Sequence, residues 1–196
     1  LKSAGYSLLW FVVLALVPLL YVSFSSLEMN YLSWINLLKN DHSAEMKLSV
    51  MGFLNSWFGV AAEMKNIVML IGVILFSIPL IRISSYNLLK YKQLYLASIL
   101  LWVVLFNHMA ESATFIISVT GIAVWFFIKK SPSVLDKILL ALVILFTLLS
   151  PSDIYPVSLR HGVFVPYAIK VIPCILVWIK INIELFLINE KTEVNS

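Results

Sequence analysis

The chain has 196 residues, of which 61% are hydrophobic and only 12% charged, against about 25% charged in an average soluble domain. Its formal charge of +4 is spread through the loops without the aromatic-interleaved basic face of a nucleic-acid binder, which excludes that class of partner. One cysteine, Cys174, rules out an internal disulfide and reads as packing, and no Cys/His cluster has metal-ligand spacing.

The apolar runs are continuous rather than alternating. In lipid every backbone group has to be satisfied internally, so such runs predict helices and not barrel strands. The predicted fold is all-α: a polytopic transmembrane helical bundle in a single membrane domain over residues 1–196, with short interfacial helices in the first outer loop. Leu1 and Lys2 lead at once into an apolar run with no initiator methionine, so a piece of a longer protein is expected. The uncharged stretch from Ser3 to Leu27 is too long for a signal-peptide core and reads as a membrane helix.

Six spans follow in order: Ser7 to Phe24, Asn66 to Ile81, Gln93 to Asn107, Ser112 to Ile128, Ile138 to Leu149, and Tyr167 to Leu187. Several fall short of the roughly 20 residues a straight crossing needs. Snorkelling Lys65, Arg82, Lys129 and Lys130 extend the ends. Pro18 and Pro79 lie inside spans and are expected to kink them. Between the first two spans, Tyr31 to Leu38 and Val50 to Phe58 read as amphipathic interfacial helices around a polar hinge at Lys39 to Lys47.

Basic residues collect on the cytoplasmic side of short loops. Arg82, Lys90 and Lys92 crowd one loop, and Lys129, Lys130 and Lys137 another that holds only one acid, Asp136. This orientation puts Ser25 to Lys65, Asn107 to Glu111 and Ser150 to Pro166 outside, together with His42, His108, His161 and Arg160.

Ionisable groups at the margin of a membrane bundle are functional candidates by default. If the segment is helical, Asn107, His108 and Glu111 share one face through i,i+3 and i,i+4 spacing, and one ligand meets all three; otherwise the segment is a polar turn. Asp41 and His42, with Glu45 one turn on, are either an acid/base cluster or the wet hinge between interfacial helices. Arg160 suits bidentate phosphate recognition, with His161 beside it, or is a solvated loop charge. Lys170 either snorkels outward or meets a lipid-linked phosphate. Lys180 and Glu184 neutralise each other at i,i+4. No Gly-rich phosphate loop, His-Glu-x-x-His or Gly-x-Ser-x-Gly occurs, and no cofactor is expected.

Asp41-His42-Ser43, Leu48 to Gly52, the block from Phe106 to Ile116, Leu149 to Asp153, Val165-Pro166-Tyr167 and Ile172-Pro173-Cys174 together resemble the C-terminal half of bacterial family 87 glycosyltransferases, within the GT-C superfamily. The Asn-His-x-x-Glu-Ser step at Asn107 to Ser112 is the most specific part. The resemblance implies a hexosyltransferase of the bacterial cytoplasmic membrane, working at its outer face. Such a protein moves a sugar, typically mannose, from a polyprenyl-phosphate donor to a lipid or glycan acceptor. It also implies a role for His108, which Glu111 or Asn107 would hold for catalysis; the charge of a polyprenyl-phosphate leaving group makes Arg160 and Lys170 the candidates to stabilise it, and Asn107, His161, Asp41 and His42 are the further candidates for substrate binding. The catalytic Asp that such proteins carry in their first outer loop has no match here, so the principal base is expected upstream and these residues alone are expected to be inactive. A lipid-linked sugar flippase or a non-catalytic membrane subunit is the alternative; a transporter should carry its polar groups near mid-membrane.

Overall fold

The computed structural model describes residues 2–40, 48–107 and 110–188, which are helical throughout apart from turns and contain no strand. They fall into two compact units divided after Ala44.

The first unit holds α1 (Lys2–Leu16) and α2 (Phe24–Asn40). The expected span to Phe24 is interrupted. Pro18 has no N–H to continue the ladder, so α1 tightens into a 3-10 turn at Val17–Leu20. The N–H groups of Tyr21 and Val22 then both return to the Pro18 carbonyl at 3.0 Å. Ser23 Oγ accepts from Ser26 N at 3.4 Å and opens α2, which reaches further back than the predicted interfacial helix. Tyr31 donates to the Ala15 carbonyl at 2.6 Å and ties the two helices.

The second unit is a helical bundle. Its α3 (Val50–Phe58) starts where Ser49 Oγ accepts from Gly52 N and stops at Gly59, whose φ of 66° is the left-handed turn that glycine takes without strain. Next comes α4 (Lys65–Ser77), flanked by 3-10 turns at Ala62–Met64 and Ile78–Ile81. Together Ala62–Ile81 is 20 residues, among the described helices the one long and apolar enough to cross a membrane; Gly5–Leu20 and Ser112–Phe127 are shorter apolar helices. Pro79 sits in the second 3-10 turn, as Pro18 does in its own.

Two helices make the core. On α5 (Leu89–Leu105) the buried residues are Tyr91, Leu94, Ala97, Ser98, Leu101, Val104 and Leu105, and on α9 (Val171–Leu187) they include Val171, Cys174, Val177, Trp178, Ile181 and Leu185. Both sets recur at three and four residues, the spacing of one helix face. Antiparallel to α5 runs α6 (Phe115–Phe127), and α4 covers α5 from another side. Tyr91 donates to the Pro79 carbonyl at 2.7 Å and Trp102 to the Gly72 carbonyl at 3.2 Å. Phe76, Trp102 and Phe106 stack in sequence at 5.1 and 5.9 Å between centroids, and Phe106 meets Trp178 edge to face at 5.3 Å.

The fifth element starts before its predicted bound, at α7 (Val134–Leu142), because Ser133 and Asp136 form a reciprocal capping box. It widens into a π-helix at Val143–Leu148. A three-residue turn, α8 (Val157–Leu159), leads into a second π segment at Arg160–Phe164.

At the end of the bundle where α6 finishes, Lys129 binds Asp136 at 3.0 Å and Glu184 at 2.7 Å. Trp125 Nε1 donates to the other Glu184 oxygen at 3.1 Å, and the Lys129 ammonium lies 4.1 Å from the Trp125 ring centre. The expected Lys180–Glu184 pair is present at 3.5 Å, but Lys129 is the nearer partner. Asp136 precedes the predicted fifth span. Its burial pushes its carboxyl up, and the hydrogen bonds from Lys129 and from the Ser133 backbone and hydroxyl outweigh this and hold it below the usual range.

A carboxylate with a depressed folded pKa contributes stability above its unfolded value and loses it as pH falls through the folded one. The thermal midpoint should therefore hold down to about pH 4, the unfolded Asp value, and drop below it. Asp136→Asn should flatten that acid limb; an unchanged acid profile in the variant would detach Asp136 from the transition.

Candidate functional site

The opposite end of the unit is built from the turn between α5 and α6, the turn after the first π-helix, and residues 160–170. Here α5 stops at Leu105, Asn107 N bonds the Val104 carbonyl at 3.3 Å, and Ala110 N bonds the Asn107 carbonyl at 3.1 Å. Glu111 is extended (φ −101°, ψ 168°) and exposed. Its carbonyl accepts from Thr114 N at 3.1 Å and Thr114 Oγ1 at 2.7 Å, starting the 3-10 turn Ser112–Thr114 that runs into α6.

Asn107 and Glu111 thus lie in a reversal of the chain, and the shared helical face does not form. The reason is packing. The Phe106 ring lodges against Gly72 and Trp178, and α6 must turn back along α5 within a few residues. His108, Asp41 and His42 lie outside the described residues.

Arg160 heads the second π segment. Its Nη1 donates to the Pro151 carbonyl at 3.0 Å and its Nη2 reaches Asp153 Oδ1 at 3.4 Å, so it staples the preceding turn. Asp153 is fully exposed, while the Arg160 side chain keeps 21% of its surface. His161 follows, exposed.

Lys170 departs most from expectation. It does not snorkel: the residue is 4% exposed. Its Nζ donates to Ser112 Oγ at 2.7 Å and the Ser112 carbonyl at 3.0 Å, with the Phe115 ring centre 5.0 Å away. Thr147 donates to the Lys170 carbonyl at 2.8 Å. Two residues earlier Ala168 has φ 48°, a left-handed conformation that a residue with a Cβ adopts only at some strain. From α3, Trp57 Nε1 holds the Tyr167 carbonyl at 2.8 Å. Ser112 was not among the expected site residues. Two signals point to it: its place at the start of a predicted span and its position closing the Asn-His-x-x-Glu-Ser step.

Among the described residues no group of three His, Cys, Asp or Glu side chains is placed to hold a metal. An apolar groove of about 360 Å³, with Leu75, Pro79, Trp178 and Phe186 in its walls, lies toward the other end of the unit. Compared with protein-family models, curated proteins and solved structures, the chain matches none.

Proposed function

We propose that this chain belongs to a polytopic membrane glycosyltransferase that moves a hexose from a polyprenyl-phosphate donor to a lipid or glycan acceptor at the outer face of a bacterial cytoplasmic membrane. The observation that carries the reading is the segregation of polar groups along the bundle. Asn107, Glu111, Arg160 and His161 stand at one end of the second unit, and Arg82, Lys90, Lys92, Lys129, Lys130 and Lys137 belong to the turns and helix ends at the other. Positive charge on the cytoplasmic side makes the first end the outer one. The exposed flanks between are apolar, as Leu70, Ile71 and Ile74 on α4 and Ile116 on α6 illustrate, which suits lipid contact. The resemblance at Asn107 to Ser112 supplies the sugar chemistry.

In this reading Arg160 meets the departing lipid phosphate, displacing exposed Asp153, since a guanidinium fork pairs with two phosphate oxygens. His108 orients the acceptor hydroxyl or takes its proton, as a neutral imidazole does near physiological pH. A flippase would instead use polar groups midway along the helices; the buried ones described there, Ser98 and Ser118, and half-buried Asn182 are uncharged.

The test is sugar transfer by the natural full-length protein. His108→Ala should lower turnover by about 10²-fold, the usual scale of a general acid or base. Glu111→Gln should lower it less, and Arg160→Lys should chiefly raise the KM for the donor. Near-normal transfer by well-folded His108→Ala over a range of donor concentrations removes the reading.

A further inference from the structure

The Lys170–Ser112 contact has the geometry of a nucleophile and its base. A serine hydroxyl attacks a carbonyl only when a neighbouring group within hydrogen-bond reach takes its proton, and a desolvated lysine is one such group. Lys170 Nζ stands 2.7 Å from Ser112 Oγ, inside that reach; the ammonium donates there, whereas the neutral amine still donates to the Ser112 carbonyl at 3.0 Å and turns its lone pair to accept the hydroxyl proton. A lysine acts as a base only as the neutral amine. Its surroundings suit that form: the residue is buried beside Phe115, and among the described residues no carboxylate pairs with it. Ser112, by contrast, is exposed and open to a substrate. The amine is held from its own backbone, through the Thr147 bond to the Lys170 carbonyl and the left-handed turn at Ala168. Ser112 also opens the turn leading into α6, where the helix dipole favours a developing oxyanion.

We propose that Ser112 and Lys170 form a catalytic dyad that cleaves carboxylic esters of acyl lipids, an activity separate from sugar transfer. Lipid is the favoured source of the ester because the residues flanking the dyad are exposed and apolar: Ile116, one turn on from Ser112, and Tyr167, ahead of Lys170, are 63% and 46% exposed. Ser112 Oγ adds to the ester carbonyl carbon while the Lys170 amine takes the hydroxyl proton. The tetrahedral adduct expels the alcohol oxygen, which takes that proton from Lys170, and the acyl group remains on Ser112. Water then adds to the acyl carbon, losing a proton to Lys170. The acid departs and the proton returns to Ser112 Oγ, so one ester and one water become one acid and one alcohol.

The test uses the full chain purified in detergent and treated with a fluorophosphonate, which phosphonylates activated serines with loss of fluoride. Mass spectrometry should place the adduct on Ser112, and p-nitrophenyl decanoate should be hydrolysed. Ser112→Ala should abolish both. Lys170→Arg preserves a hydrogen-bonding cation but no proton acceptor, and should slow labelling at least about 100-fold with the thermal midpoint near wild type; Lys170→Gln provides the same comparison if arginine disturbs the fold. No adduct on Ser112 in folded wild-type protein overturns the dyad, as does equal labelling of either folded Lys170 variant.

Discussion

Lys129→Met should destabilise the second unit by about 3–5 kcal/mol, the scale on which a buried ion pair broken from one side loses stability. The Lys129 side chain is 12% exposed and its partner Asp136 5%, so water does little to screen the charge left behind. Glu184 still has Lys180 at 3.5 Å, which makes Asp136 the orphan. Adding Asp136→Asn should therefore restore most of the lost stability, because the amide removes the charge while Ser133 continues to cap the helix start. Thermal unfolding of the purified protein in one detergent, wild type against the single and double variants, reads this directly. A double variant no more stable than Lys129→Met would show that the lysine acts through its contact with Trp125 and not through charge.

Gly121→Val should separate α5 from α6. A Cβ at Gly121 would lie 2.8 Å from Leu101 Cδ1, 2.9 Å from the Ala97 carbonyl oxygen and 3.0 Å from Leu100 Cβ. The leucine tip can swing aside, but the Ala97 oxygen is fixed in its own helix, so the two backbones have to part. Overpacking of this kind costs about 1–3 kcal/mol for an added methyl group and more for a branched side chain. The expected result is a graded loss, Gly121→Ala smaller than Gly121→Val, with Leu101→Ala failing to rescue either. Rescue by Leu101→Ala would mean that the side chain alone sets the helix separation. Small residues at helix contacts serve the same end in membrane bundles, letting backbones approach closely.

The resemblance and the fold meet unevenly at the candidate site. The block from Asn107 to Ser112 reads as a functional segment by its chemistry, and its described residues Asn107, Glu111 and Ser112 lie between the end of α5 and the start of α6. Its conformation was not legible. A helical spacing of Asn107 and Glu111 requires the helix to continue, and the Phe106 ring packed against Gly72 and Trp178 ends it first. Lys170 likewise reads as a residue near a helix end with a long flexible stem. Its amine turns inward because the hydroxyl and carbonyl of Ser112, in the 3-10 turn ahead of α6, are within its reach, which is a fact about two helix starts more than fifty residues apart.

The sequence by itself determined the all-α class and the rough position of the longer helices in the second unit, because both follow from hydrophobic runs and from local breakers; α8 and the π segment after it fall in a stretch that reads as an outer loop. Ala62–Ile81 and the 3-10 turn with α6 at Ser112–Phe127 lie close to their predicted bounds. Pro18 and Pro79 mark the change from α to 3-10 geometry for a reason contained in one residue, the missing N–H. Tertiary structure decided the rest: which face of α5 meets α9, the sharing of Glu184 between two lysines, and the pairing of Lys170 with Ser112. These depend on contacts between residues far apart in the chain, where the choice of partner is set by packing volume and by the need to satisfy buried polar groups, and neither quantity has a local signature.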